Sequence, residues 1–72
     1  MKKIFKMNDL DCAHCADRME QAIRKLEGVN SVSVNFMAQK MVIDAEDAKF
    51  DEIMKQAQKE VKKVDSGCEI IL

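Results

Sequence analysis

From Lys3 to Met7 the chain alternates, with Lys3, Phe5 and Met7 on one side and Ile4 and Lys6 on the other, the two-residue period of a short β-strand. Asn8 and Asp9 break it. From Cys15 onward apolar positions recur at Cys15, Met19, Ala22, Ile23 and Leu26, a spacing that winds one buried stripe along a helix. Gly28 is expected to stop that helix. The remaining face carries Asp17, Arg18, Glu20, Gln21, Arg24 and Lys25, which water solvates and which by itself identifies no partner.

Val32, Val34 and Phe36 alternate with Ser31, Ser33 and Asn35 in the clearest half-buried strand of the sequence. A turn at residues 37–39 leads into a second β-rich run at 40–44, so the two predict a hairpin. After a polar break at 44–47, helical spacing returns in Phe50, Ile53, Met54, Ala57, Val61 and Val64, ending before the turn residues Asp65, Ser66 and Gly67. Cys68, Ile70 and Leu72 are then expected on one face of a last strand. The order βαββαβ predicts an α+β, ferredoxin-like sandwich, a four-stranded antiparallel sheet with both helices on one face. Met19, Gln21, Ala22 and Leu26 faintly echo Met54, Gln56, Ala57 and Val61 at an offset of 35, as two βαβ halves would.

Length narrows this to a single domain over residues 1–72, because a chain of this size buries only about 60% of its unfolded surface. With 47% hydrophobic and 35% charged residues it has matter for a core and is not disordered by composition. Twelve basic side chains against thirteen acidic ones leave a net charge of -1, without the positive excess that nucleic acid requires. The longest strongly apolar runs, at 41–43 and 70–72, are far short of the roughly 20 residues of a membrane-spanning helix. Lys2 and Lys3 lead into alternation rather than a signal-peptide core. A soluble monomer is expected.

Three cysteines, two of them three positions apart, suit metal or redox chemistry in a reducing compartment better than a disulfide framework, and so predict a cytoplasmic location. The chemistry concentrates in Asp11-Cys12-Ala13-His14-Cys15, the loop between the first strand and the first helix. Unpaired amides and the positive end of the helix dipole stabilise anions there, so one or both thiols should ionise below the free value of about 8.5. Thiolates bind metals. Two intervening residues let both sulfurs turn toward one point, a geometry shared by zinc ribbons and thioredoxin-like redox sites. The plainer reading makes Cys12 and Cys15 small core hydrophobes, but two thiols and a carboxylate are a costly filling for a polar loop.

The pattern Leu10-Asp11-Cys12-Ala13-His14-Cys15-Ala16, followed by Leu26-Glu27-Gly28-Val29 and the βαββαβ spacing, resembles the heavy-metal-associated domains over essentially the whole chain. That family comprises copper chaperones, mercury-binding proteins and the cytosolic N-terminal domains of metal-exporting P-type ATPases. The resemblance implies that Cys12 and Cys15 bind metal. Leu10 stands where the family usually has methionine and keeps an apolar anchor beneath the loop. Asp9 stands where it usually has glycine, and aspartate tolerates left-handed backbone better than most residues.

An aspartate before the first cysteine resembles the zinc, cadmium and lead exporters, whereas copper domains usually carry threonine or serine there. Cu(I), the Cu+ ion, is satisfied by two soft thiolates and gains little from a hard carboxylate. A divalent ion gains from both, and Zn2+ accepts sulfur and carboxylate oxygen together. Asp11 is therefore the discriminating third ligand for Zn2+, Cd2+ or Pb2+, with helix N-cap as its plainer role. Gly67-Cys68 resembles a glycine-tyrosine pair near the metal loop of copper-binding relatives. By that likeness Cys68 is either a fourth metal ligand or an apolar lining. His14, in the variable interior of the motif, is expected to face solvent. Met19, Met41 and Met54 fall on core faces and read as packing.

The expected function is capture of a divalent ion and its exchange with a transporter core or a partner metal-binding domain. The stop at Leu72 directly on the last strand is what excision from a transporter would leave. A free-standing Cu(I) metallochaperone is the alternative. A thiol-disulfide oxidoreductase is weaker, since that fold places a cis-proline at its site and this chain has no proline. A structural zinc domain is disfavoured because the apolar pattern accounts for folding without metal. Circular dichroism in excess chelator should accordingly show the full helical signal and a cooperative melt; an unfolded spectrum there would make the metal structural.

Overall fold

The computed structural model describes all 72 residues. In chain order β1 spans Lys2–Asn8, α1 Ala13–Arg24, β2 Val29–Asn35, β3 Lys40–Ala45, α2 Phe50–Val64 and β4 Glu69–Ile70. A single 3₁₀ turn, Asp47–Lys49, leads into α2. The strands are antiparallel in the order β2-β3-β1-β4. Helix α1 packs on β2, α2 on β4, and the helices on each other. This is the expected βαββαβ sandwich.

Burial explains the order. The core comprises sixteen hydrophobic side chains and no polar one, among them Met19 and Ile23 from α1, Met41 and Ile43 from β3, and Phe50, Met54 and Val61 from α2. Met7, Met19, Met41 and Met54 are all buried, so these sulfurs are packing material. Phe5 stacks on Phe50 with ring centroids 6.3 Å apart, and the Lys3 ammonium closes the rim 5.6 Å above the Phe50 ring. β2, an edge strand, is guarded by Glu20 of α1, whose carboxylate accepts from the Val34 amide at 2.9 Å and from Arg24 at 3.0 Å.

Three boundaries differ from the expectation. Helix α1 ends at Arg24, so Leu26 lies in the following turn, where its amide donates to Ile23 O at 3.0 Å in a tightened final turn. Gly28 is too far past the helix to cap it. Its φ of +90° serves instead the turn into β2, and a Cβ there would sit 2.8 Å from Ile53 Cδ1 of α2. Leu72 does not share a buried face with Cys68 and Ile70: it lies beyond β4 and is 65% exposed. The ladder explains this, since β4 pairs with β1 only at Met7↔Ile70 and Asn8↔Glu69, with one further bond from the Ile71 amide to Lys6 O.

That register also positions the chemistry. One step beyond the Asn8↔Glu69 pair, Cys68 comes beside the start of the β1–α1 loop. Gly28→Ala should cost about 1–2 kcal/mol of unfolding free energy in a urea titration, through left-handed strain and crowding of Ile53. An unchanged midpoint would remove both constraints.

Candidate metal-binding loop

The loop forms where β1 ends and α1 has not begun. Asp9 has φ +57°, so the aspartate does adopt the left-handed conformation at this turn. Leu10 follows and is 1% exposed, the apolar anchor expected beneath the loop. Both backbone groups of Leu10 are held by one side chain, Gln39 of the β2–β3 turn: its carboxamide oxygen accepts from Leu10 N–H at 3.1 Å and its nitrogen donates to Leu10 O.

Cys12 then caps α1. Its backbone is extended, with φ −137° and ψ 124°, and its sulfur accepts from the Cys15 amide at 3.3 Å. Asp11 is therefore not the N-cap. Its carboxylate is exposed and makes no hydrogen bond or ion pair within the protein. The first helical bond runs from Ala16 N–H to Cys12 O at 3.0 Å. His14 is exposed on the first turn, as expected.

The three free thiols occupy unlike environments. Cys12 is lowered from its ordinary thiol value, first by the Cys15 backbone amide, then by a side-chain hydrogen bond from the Cys15 thiol, with a smaller contribution from the His14 amide. Cys15 is raised, because its proton is held in that bond to Cys12 and because it is partly desolvated. Ionisation is thus favoured at Cys12 over Cys15. Cys68 is fully buried, and desolvation, followed by the negative charges of Asp65, Asp11 and Asp9, pushes it up to about 11.

The structure therefore brings Cys12 and Cys15 together and leaves Asp11 beside them facing water. Cys68 is fully buried in the core. No three His, Cys, Asp or Glu side chains converge closely enough to share an ion, so neither Asp11 nor Cys68 completes a set with the two thiols in this arrangement. Two residues outside the sequence reading bear on the loop. Gln39 had only its place in a turn to mark it. Asp65, read as a turn former, does accept from Gly67 N–H at 3.0 Å, but its charge also disfavours ionisation of all three thiols.

Residues 4–66 match the heavy-metal-associated domain family, and the chain belongs to that family. It is 48% identical over 42 residues, 58% of this chain, to the zinc/cadmium/lead-transporting P-type ATPase of Escherichia coli K12, and spans 6% of that relative's length. The copper chaperone CopZ of Enterococcus hirae is 37% identical over 57 residues, covering 79% of this chain and 75% of that one. Among solved structures, a CopZ metallochaperone has a TM-score of 0.76 at 22% identity, covering 99% of this chain and 100% of that one. Oxidised MerP from Ralstonia metallidurans CH34 gives 0.73 at 26% identity, covering 99% and 93%. The expected fold and family are those found. No helix is long and apolar enough to cross a membrane.

A buried thiol that ionises only near pH 11 when folded, against about 8.5 when unfolded, supports the fold fully below pH 8.5 and loses that support as pH rises toward 11. Denaturant titrations should show wild type losing on the order of 3 kcal/mol more than Cys68→Val across that interval. Parallel pH profiles for the two proteins would place Cys68 in contact with water.

Proposed function

We propose that this domain captures a divalent, borderline-soft cation, Zn2+, Cd2+ or Pb2+, through the sulfurs of Cys12 and Cys15 and the carboxylate of Asp11, and passes it on by ligand exchange. The observation that carries the reading is the division of labour at the start of α1. Cys12 takes the capping role, so the Asp11 carboxylate has no internal partner and is free to turn onto an ion. Two thiolates and a carboxylate leave a divalent ion with a net charge of about -1, whereas Cu+ would carry about -2 beside the further negative charge of Asp65. The balance favours the divalent ion.

Thiols bind a metal as thiolates and the Cys15 thiol resists ionisation, so capture releases protons and weakens as pH falls. Two donors in place and a third able to swing leave the ion accessible. An incoming thiolate can then bind before an outgoing one leaves, which suits a carrier better than a closed cage. Cys68, buried and protonated, is a lining beneath the site rather than a resting ligand.

In this reading the domain acts in the cytoplasm as a monomer, its partner being a transporter core or another metal-binding domain. The 48% identity to the E. coli zinc/cadmium/lead-transporting P-type ATPase supports the N-terminal region of a metal-exporting P-type ATPase. A second reading, a free-standing Cu(I) metallochaperone, is favoured by the CopZ relative, of which the chain covers three quarters. The domain itself performs ligand exchange and no bond-making chemistry on a substrate.

Competition titrations of Zn2+ and Cu(I) separate the two. Cys12→Ser and Cys15→Ser should each weaken both metals by about a hundredfold or more. Asp11→Ala should weaken Zn2+ by about tenfold and leave Cu(I) unchanged or tighter. Unaltered Zn2+ affinity in Asp11→Ala would remove the carboxylate from the site and favour the copper reading.

A further inference from the structure

We infer that Gln39 is a positioning residue for the metal loop, holding Cys12 at its place by clamping the backbone of Leu10 two residues earlier; the metal consequence rests on the function proposed above. Gln39 closes the β2–β3 turn in a left-handed conformation, φ +55°, that a non-glycine residue rarely adopts. Held there, it makes one bond to β1 and two to the loop. Its backbone carbonyl accepts from Met7 N–H at 2.8 Å, its side-chain oxygen accepts from Leu10 N–H at 3.1 Å, and its side-chain nitrogen donates to Leu10 O.

The β1–β3 register ends at Lys6↔Lys40, and Gln39 carries it four residues further with a carboxamide in place of a backbone. Leu10 N–H and C=O have no other partner in the protein. Beside a side chain that is 1% exposed, leaving them unmade would be expensive. A role confined to the turn would need only the bond that Gln39 donates to Phe36 O at 2.8 Å. The two bonds that cross 29 residues to Leu10 do something else: they fix the segment from which Asp11 and Cys12 extend. A loop fixed before the ion arrives loses less freedom when it binds and releases the ion more slowly.

The molecule contains its own control. Gln58 of α2 makes the same two-way clamp on Ile70 of β4, donating to Ile70 O and accepting from Ile70 N–H, both at 2.8 Å, on the strand that pairs with the end of β1 and with no bond to the β1–α1 loop itself. Gln39→Met and Gln58→Met each remove such a clamp while keeping side-chain length.

The experiment has two readouts. In the metal-free protein, amide hydrogen exchange at Leu10 should accelerate by about tenfold or more in Gln39→Met and not in Gln58→Met. In stopped-flow transfer of Cd2+ to excess chelator, followed by the sulfur-to-metal absorbance, Gln39→Met should release the ion about tenfold faster than wild type. Gln58→Met should release at the wild-type rate despite a similar fall in melting temperature. Gln39→Glu, which keeps the acceptor for Leu10 N–H and loses both donors, should fall between wild type and Gln39→Met, and serves if Gln39→Met does not fold. Equal release rates in Gln39→Met and Gln58→Met, or unchanged Leu10 exchange, would overturn the inference. If wild type and Cys12→Ser bind Cd2+ alike, the proposed function fails, and the Leu10 exchange still decides whether Gln39 holds the loop.

Discussion

A helix begins with amides that no earlier turn can satisfy, and at the start of α1 the group that answers them is a sulfur. Cys12 Sγ accepts from the Cys15 amide, a weaker bond than a carboxylate would make in the same place. The weakness is useful. A strong oxygen cap would tie up the hard donor and leave the thiol outside, whereas here the helix start lowers the proton affinity of Cys12 and Asp11 stays free. The same few backbone amides cap the start of the helix and prepare the soft ligand of the proposed function.

Around that point two fields oppose one another. The amides at the start of α1 favour negative charge on Cys12, while Asp65 disfavours it on Cys12, Cys15 and Cys68 alike. The result is graded: ionisation is eased at Cys12, opposed at Cys15, and opposed by burial at Cys68. In the proposed function, a doubly charged ion reverses the sign of the problem, because every nearby acid then assists. The exposed, charged rim stands on a core that contains no polar side chain, so folding need not wait for the ion.

Much of the architecture was legible because its periods were clean. Phe50, Ile53, Met54, Ala57 and Val61 spell α2, and all five are buried. Asp9 could be suspected of a left-handed turn from its residue type alone. The errors fell at ends, where periodicity carries no information: α1 stops at Arg24 although Leu26 continues the stripe, and Leu72 leaves the face that Ile70 buries. Cys68 was legible as either ligand or lining, and its full burial could not be read from the sequence.

The one-dimensional pattern was enough to determine the order of elements, the family and the pair of cysteines at a helix start, since these depend on spacing between near neighbours. What it could not contain is which residues distant in the chain meet. Gln39 reaches Leu10 across 29 residues, and Asp65 comes to bear on Cys12 and Cys15, only because the antiparallel sheet brings the β2–β3 turn and the approach to β4 to the same end of β1. Hydrogen bonds and Coulomb forces act through space over a few ångströms, so the support of the β1–α1 loop was decided by tertiary structure alone.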